Sequence, residues 1–293
     1  MTENPDSNEY LTTREVADLL RLKERKVYDL AAEKLIPCTR ATGKLLFSRK
    51  AVNQWLARHS TGDVLAVTTA PALFAGSHDP LLEWAVRESQ CDIPSMFDGS
   101  LDGLKKLEKG KATIISVHLY DSETHEWNVP LVANNFSGES VVLVRWVRRQ
   151  RGLVFRPGTK ISQLTDVLKH RLVARQSGAG SQLLLEHLLQ EQKIDLAKIN
   201  YSATARSEMD AVLCVAEETA DCALGLQALA VQHQLDFVPI VEEPLDLLLD
   251  RRFFFESQMQ CFMNFCRSEA FTSRVEALEG YRVDRLFAVR FNG

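Results

Sequence analysis

The sequence predicts a multidomain chain in which a small, basic, helical unit with a β-hairpin precedes a larger, two-lobed α/β domain. Three observations predict this fold class. The chain has 293 residues, more than one ordinary hydrophobic core organises. Residues 10–62 carry 11 Lys and Arg against 5 Asp and Glu, whereas residues 63–293 carry 24 against 31. Beyond residue 71, predicted strands and helices alternate, which is typical of α/β domains.

The start of the chain and its apolar pattern indicate the compartment. Residues 1–9 are polar and acidic, and we expect a flexible leader there and not a secretory signal. No apolar run approaches the roughly 20 residues that a membrane-spanning helix needs. The six cysteines form no Cys-x-x-Cys pair, so we expect free thiols and no metal site. These features predict a cytoplasmic protein that does not bind a membrane.

Two short helices open the basic unit. Thr12 and Glu15 have the spacing of a capping box, and apolar residues then recur at helical intervals. A second helix is predicted over 24–31, after about three residues of turn. This arrangement is a helix-turn-helix, whose second helix enters the major groove of DNA. The side chains expected to contact DNA from the two helices are Thr13, Arg14, Arg25, Lys26 and Tyr28.

A predicted β-hairpin completes the basic unit. Extended runs at 38–40 and 45–48 surround a turn that contains glycine, and a third helix is predicted at 49–58. The hairpin would form a wing, with Arg40 and Lys44 beside DNA phosphates. Because cations cluster near this hairpin, we favour DNA binding over a unit that only contacts proteins.

The segment TTREVADLLRLKERKVYDLAAEKLIPCTRATGKLLFSRKAVNQWL resembles the winged helix-turn-helix domains of the excisionase/MerR type. It departs from them at the turn, where the family often has Gly-Val-Ser and this chain has Arg21-Leu22-Lys23. We expect a domain at 10–62 that binds double-stranded DNA as part of a homodimer, followed by a linker at 63–70.

The larger domain is predicted at 71–293, with two lobes and a largely parallel sheet. Two strand-to-helix turns stand out in different halves, at 76–79 and 175–181. Each would aim backbone N–H groups and hydroxyls at one crevice from a helix N-terminus, which suits an anion. Arg175 adds a charge suited to carboxylates or oxyanions, and Gly178 lets the backbone approach a ligand.

Several segments of this domain resemble the type 2 periplasmic-binding-protein-like domains of cytoplasmic regulators and molybdopterin-biosynthesis proteins. They are GSHDPLLEWA, SLDGLKKLEKGKATIISVHLYDSETHEWNVP, RQSGAGSQLLLEHLL and ADCALGLQALA. Related proteins hold molybdate or tungstate with hydroxyl residues after the first strand and with an Arg-x-x-x-Ser-Gly type of loop. By position, the resemblance implies ligand-binding roles for Ser77, His78, Arg175, Ser177, Gly178 and Ser181.

Other polar residues have two interpretations. His118 ends a predicted strand at the same edge as the turns, and it suits an anion donor and a structural histidine equally well. Asp221 is either part of the cleft wall or a solvated loop acid. The arginines at 145, 148, 149 and 151 alternate along a predicted strand, and we expect mainly a solvated edge.

No catalytic motif is present. The sequence lacks a Gly-x-Ser-x-Gly elbow, a phosphate-binding loop and a His-Glu-x-x-His helix, so we expect neither catalytic residues nor a resident cofactor or metal. The expected function is a ligand-responsive transcription regulator. The larger domain would sense molybdate or tungstate, sense an organic anion such as a carboxylate, or act without a ligand in dimerisation or partner recruitment. A filled cleft would favour the last.

Overall fold

The computed structural model describes residues 10–40, 43–49, 51–52, 55–56 and 71–293. The chain forms two compact units, Met1–Thr68 and Thr69–Gly293, and the division falls within the segment predicted as a linker. The predicted leader at 1–9 and the predicted linker at 63–70 lie outside the described residues.

The described part of the first unit begins with a strand that the sequence did not predict. β1 (Tyr10–Thr12) pairs antiparallel with β2 (Leu46–Ser48). α1 (Thr13–Leu20) then starts at the predicted capping box. The Thr12 hydroxyl accepts from the Glu15 N–H at 3.3 Å, and the Glu15 carboxylate accepts from the Thr12 N–H at 2.7 Å. The helix start is therefore determined locally, as its sequence indicated.

The second helix and the wing follow as predicted. α2 (Glu24–Ala32) comes after a turn in which Arg21 adopts a left-handed conformation, φ 54°. Thr39 and Leu46 exchange two backbone hydrogen bonds of 2.8 and 3.0 Å, which form the predicted hairpin around a turn whose residues 41–42 are not described. The described residues of the predicted third helix are helical, namely 49, 51, 52, 55 and 56.

The second unit is built on a ten-stranded mixed sheet and a separate two-stranded hairpin. Its strands, β3 to β14 in chain order, are Phe74–Gly76, Ser95–Met96, Ile114–Val117, Tyr120–Asp121, Glu126–Trp127, Val141–Phe155, Leu172–Arg175, Tyr201–Ala205, Cys222–Leu226, Asp236–Asp250, Tyr281–Arg282 and Val289–Asn292. Its α-helices, α3 to α10, are Pro80–Glu88, Ser100–Glu108, Val129–Phe136, Gly180–Glu191, Glu208–Ala216, Gln227–Gln232, Ser257–Cys266 and Glu269–Glu276. Short 3₁₀ helices lie at Leu164–Lys169, Leu196–Lys198 and Phe253–Phe255.

Two groups of parallel strands form the two lobes. β3 pairs in parallel with β4 and β5 in the first lobe, and β9 pairs in parallel with β10 and β11 in the second. Between them, β8 and β12 pair antiparallel with each other along their length. β8 continues to β11 and β12 continues to β5, both antiparallel. These two crossing strands therefore run through both lobes and join them.

The crossing strands correct three predictions. The sheet is mixed and not largely parallel, because both joins between the lobes are antiparallel. The sequence pattern predicts separate strands at 140–147, 152–155 and 236–241, but the first two belong to one strand, β8, and the third extends to Asp250. Charged residues lie in the middle of both strands and face each other, with Glu243 in register with Arg149. Outside the crossing strands, the sequence pattern predicts a helix at 161–168, and the structure has a 3₁₀ helix at Leu164–Lys169.

Within the described residues, no helix combines the length and the apolar character needed to cross a bilayer. The six cysteines are free thiols.

Candidate DNA-binding groove and ligand-binding cleft

Five of the predicted DNA contacts line one groove of about 590 Å³ on the first unit. Those residues are Thr13, Arg14, Tyr28, Arg40 and Lys44. They come from α1, α2 and the hairpin, three elements that the local sequence signals had placed together. Thr13 is buried and the other four are exposed. The groove therefore offers three cations and a phenol to a partner.

The remaining two predicted contacts lie elsewhere on α2. Arg25 and Lys26 are exposed on that helix but do not line the groove. Glu24 does line it and brings a negative charge close to the cations. The cations of the groove and of α2 together form a surface suited to a polyanion.

In the second unit, the turn at 175–181 lies against the first lobe across the cleft, at Leu101 and His118 and not at the other predicted turn. The Leu101 N–H at the start of α4 donates to the Gly178 carbonyl at 3.3 Å. A Cβ on Gly180 would lie 2.5 Å from the backbone oxygen of His118 and 3.0 Å from its Nε2. Because only a residue without a side chain fits there, Gly180 allows the lobes to close on each other.

The first turn is held by its own lobe. The Ser77 N–H donates to the Ser116 carbonyl at 2.9 Å, and the Ser116 hydroxyl donates to the Ser77 carbonyl at 2.6 Å. His78 Nε2 lies 3.2 Å from the Glu83 carboxylate, and the His78 ring packs edge-on against Phe97. Ser77 is therefore a buried part of the turn, and His78 lies against α3.

Arg175 in the second turn is bound within the protein. Its Nη1 donates to the Glu208 carboxylate at 2.8 Å and lies 3.3 Å from the Ser181 hydroxyl. Its Nε donates to the Ala205 carbonyl at 3.1 Å, and its Nη2 donates to the Arg206 carbonyl at 3.3 Å. The structure thus brings Arg175 and Ser181 together, and it adds Glu208, which the sequence did not indicate.

Ser177 and Gly178 lie at the mouth of the cleft. Ser177 is exposed, and both residues line a pocket of about 680 Å³ with side chains of both lobes. The other lining residues include Asp98, Asp102, Lys105, Gln176 and Arg206. The predicted site residues are therefore divided between the buried interior of the cleft and its mouth.

A continuous chain of buried ion pairs runs along the cleft. Arg149 donates to Asp79 at 2.7 Å and to Glu243 at 2.6 Å. Arg151 lies 2.8 Å from Glu243 and donates through Nη1 and Nη2 to Glu208 at 3.0 and 3.1 Å. Arg175 ends the chain at Glu208. Three arginines and three carboxylates balance each other in the interior.

These buried ion pairs correct the interpretation of the arginine run as a solvated edge. Arg149 and Arg151 are completely buried. Arg145 and Arg148 are partly exposed and pair with Asp284 and Glu242. The missed signal was the acidic pair at 242–243, since two extended runs of opposite charge are complementary neighbours in a sheet.

The pairing of the buried arginines with the buried carboxylates keeps these side chains charged. Burial by itself raises the pKa of Glu243 and of Glu208, but the positive charges of the neighbouring arginines outweigh it, and both pKa values lie below the ordinary range. Burial opposes the charge of Arg149 and Arg151 as well, yet their carboxylate partners raise both pKa values. These four side chains are therefore charged at neutral pH.

His118 contacts the row of buried ion pairs at Glu243. Its Nδ1 lies 3.1 Å from the Glu243 carboxylate, and its Nε2 is buried without a partner among the described residues. Burial is the largest influence on its pKa and lowers it, although Glu243 partly opposes the effect. A neutral imidazole whose Nδ1–H donates to Glu243 accounts for this geometry, so the structural and ligand-binding interpretations of His118 both stay open. Asp221 binds Arg171 through two charged contacts and is not part of the row of buried ion pairs.

Both units match known domain families. A helix-turn-helix domain model matches residues 10–60. A PBP superfamily domain model matches residues 83–267, which is more than half of the chain. The chain belongs to the PBP superfamily. In this PBP chain, as the sequence predicted, a helix-turn-helix unit is fused to a type 2, two-lobed α/β domain.

One bacterial protein and one solved structure are similar to much of this chain. The uncharacterised protein YvgK of Bacillus subtilis (strain 168) is 26% identical over 294 residues, which cover 92% of this PBP chain and 94% of YvgK. A candidate phosphate ABC transporter substrate-binding protein from Clostridium perfringens, solved with bound phosphate, superposes with a TM-score of 0.55 at 13% identity. That match covers 72% of this chain and 99% of the other, and it shows the fold of the second unit.

Proposed function

We propose that this chain is a DNA-binding transcription regulator whose PBP domain senses a small anion. It would act in the cytoplasm, as a homodimer on double-stranded DNA, and by binding and not by catalysis. Molybdate and tungstate are the first candidate ligands, and an organic anion such as a carboxylate is the alternative. The observation that carries the proposal is the fusion of a helix-turn-helix domain to a PBP domain in one chain.

The cleft supports a role for the ligand in switching. This PBP domain has two lobes joined by crossing strands, and Gly178 and Gly180 of the second lobe lie against Leu101 and His118 of the first. A ligand that binds the closed form more tightly than the open form would shift the population of the two. A coupling of about 1–3 kcal/mol between ligand and DNA would change operator occupancy usefully.

One observation favours a second candidate function. The buried charges of the cleft already balance one another through the ion pairs from Asp79 to Arg175. A cleft filled in this way suits a domain that dimerises or recruits a partner without any ligand. The two functions differ in whether any anion changes DNA binding.

Calorimetric titration with molybdate and tungstate tests the proposal, with sulfate, phosphate and acetate alongside. Each anion that binds is then added to an operator-binding assay of the full-length protein. Heat from at least one anion, and a changed operator affinity in its presence, are the expected results. Folded protein that binds none of these anions would exclude molybdate and tungstate, and it would leave a larger organic anion and the ligand-independent function as the candidates.

Arg175→Ala is expected to weaken the binding of the anion by about tenfold or more, because a hydrogen bond to a charged group contributes about 1.5–3 kcal/mol. The variant is compared with Arg171→Ala, which replaces an arginine directly before β9 that binds Asp221 at the surface. Calorimetry measures both. Unchanged affinity in Arg175→Ala would exclude this arginine from the site.

Lys44→Ala and Arg25→Ala are expected to weaken DNA binding. If Lys44 contacts a phosphate, its loss lowers the slope of log affinity against log salt by about one and acts equally on all sequences. Fluorescence anisotropy at several salt concentrations measures both effects. Lys160→Ala, an exposed lysine of the second unit, is the control. Wild-type affinity in both variants would contradict the assignment of the groove and of α2 to DNA.

A further inference from the structure

The Glu208 carboxylate occupies the position that the sequence assigned to a ligand anion. One of its oxygens accepts from Arg175 at 2.8 Å, and the same Arg175 nitrogen lies 3.3 Å from the Ser181 hydroxyl. The two oxygens accept from Arg151 at 3.0 and 3.1 Å. Glu208 is only 1% exposed. We call the group formed by Arg151, Arg175 and Ser181 the anion seat.

The seat matches the shape of a carboxylate. Arg151 uses two nitrogens on two oxygens, the fork-to-fork arrangement that planar carboxylates make with guanidinium groups. Arg175 then binds one of those oxygens from a second direction. Glu208 thus shows, within the protein, which kind of group the seat accepts.

The charges of the cleft set the charge of any replacement for Glu208. Without its carboxylate, the buried chain holds three arginines against Asp79 and Glu243, which leaves one positive charge. A monoanion restores neutrality. A dianion such as molybdate would leave one negative charge uncompensated in the interior, which is costly.

The backbone around Glu208 does not depend on its side chain. Glu208 is the first residue of α7, and that helix is capped by Ser207 and Asp210. The Ser207 hydroxyl accepts from the Asp210 N–H at 3.0 Å, and the Asp210 carboxylate accepts from the Ser207 N–H at 3.0 Å. The side chain of Glu208 can therefore leave the seat while the helix keeps its start.

We propose that Glu208 is an internal competitor, and that the anion seat binds an organic monocarboxylate, which enters by displacing the Glu208 side chain. This inference rests on the proposed function, in which the PBP domain binds a small anion, and it selects the organic acid over the tetrahedral dianion. A tethered competitor acts at a high effective concentration. The wild-type protein therefore binds a carboxylate only weakly unless the rest of the ligand adds contacts.

Glu208→Gln tests the competition, since it keeps the size of the side chain and removes its charge. Full-length wild-type and variant proteins are titrated with acetate, the simplest monocarboxylate, and separately with molybdate. Glu217→Gln makes the same change at an exposed position after the same helix and is the control. We expect acetate to bind Glu208→Gln at least about tenfold more tightly than wild type, to raise its melting temperature, and to bind the control as it binds wild type.

The outcomes separate this inference from the proposed function. If acetate binds Glu208→Gln no more tightly than it binds wild type, Glu208 is not an internal competitor. If the substitution raises the affinity for molybdate more than the affinity for acetate, the seat does not prefer a monoanion. Either result leaves the sensing function intact if wild type still binds an anion that alters operator affinity. Conversely, a gain in acetate affinity without any anion effect on operator binding supports the seat and rejects the sensor. If Glu208→Gln does not fold, Glu208→Asp takes its place, because it shortens the competitor and keeps its charge. Its affinity for acetate must then exceed that of wild type, by less than the gain expected of Glu208→Gln.

Discussion

Replacing Glu243 by glutamine is expected to lower the free energy of unfolding of the second unit by about 3–5 kcal/mol, the usual effect of breaking a buried ion pair. Glu243 is completely buried and accepts from Arg149 at 2.6 Å. It also lies 2.8 Å from Arg151 and 3.1 Å from His118. A glutamine presents an amide N–H to at least one of these donors, so buried positive charge remains without a partner.

The adjacent residue provides the control for this prediction. Glu242 is partly exposed and binds Arg148 at 2.8 Å and Arg282 at 2.7 Å. Glu242→Gln is expected to change the free energy of unfolding by no more than about 1 kcal/mol, because surface ion pairs contribute little. Urea denaturation followed by circular dichroism measures both variants. Equal losses in the two would mean that the buried chain does not stabilise the fold as its geometry indicates.

The effect of Glu243 also has a definite pH dependence. Burial raises the pKa of Glu243, but the positive charges of Arg149 and Arg151 lower it by a larger amount. The pKa in the folded protein therefore lies well below the ordinary value. A carboxyl group of this kind stabilises the fold fully above its unfolded pKa, and the stabilisation is lost as the pH falls through the folded value. The difference between wild type and Glu243→Gln is therefore expected to be constant near neutral pH and to shrink in acid.

Local signals explain why much of the fold could be predicted. The capping box of Thr12 and Glu15 starts α1 as its spacing required. Asp79 caps α3 by accepting from the Leu82 N–H at 2.9 Å, directly before a proline at the first helical position. Such signals depend on three or four neighbouring residues, so the sequence contains all of the information.

Pairing between distant residues explains what could not be predicted. Arg149 and Glu243 are 94 residues apart, and either one alone resembles a residue of a solvated edge. The seat shows the same limit, since Arg175 and Ser181 lie in one predicted turn, but Glu208 lies 33 residues further along the chain. The sequence therefore predicted an arginine that was free to bind a ligand, whereas tertiary packing brings a carboxylate to it.

Adding a methyl group to Gly180 is expected to hold the two lobes apart. A Cβ at this position would lie 2.5 Å from the His118 carbonyl oxygen and 2.9 Å from Cε1 of its ring. The oxygen belongs to the backbone of the other lobe, at the end of β5, so it cannot move without moving that lobe. Gly180 opens α6, where alanine favours the helix over glycine by about 1 kcal/mol. The penalty in Gly180→Ala therefore comes from the contact between lobes.

The backbone N–H of Leu101 reports on this contact, because it donates to the Gly178 carbonyl across the cleft at 3.3 Å. In Gly180→Ala we expect faster hydrogen exchange at Leu101 and a larger radius of gyration in X-ray scattering. If the closed form falls to about 1% of the population, the affinity for a ligand that requires closure falls about a hundredfold. Gln190→Ala, an exposed substitution in the same helix, controls for helix propensity. Unchanged exchange at Leu101 together with wild-type affinity would mean that this approach of the lobes is not the state to which the ligand binds.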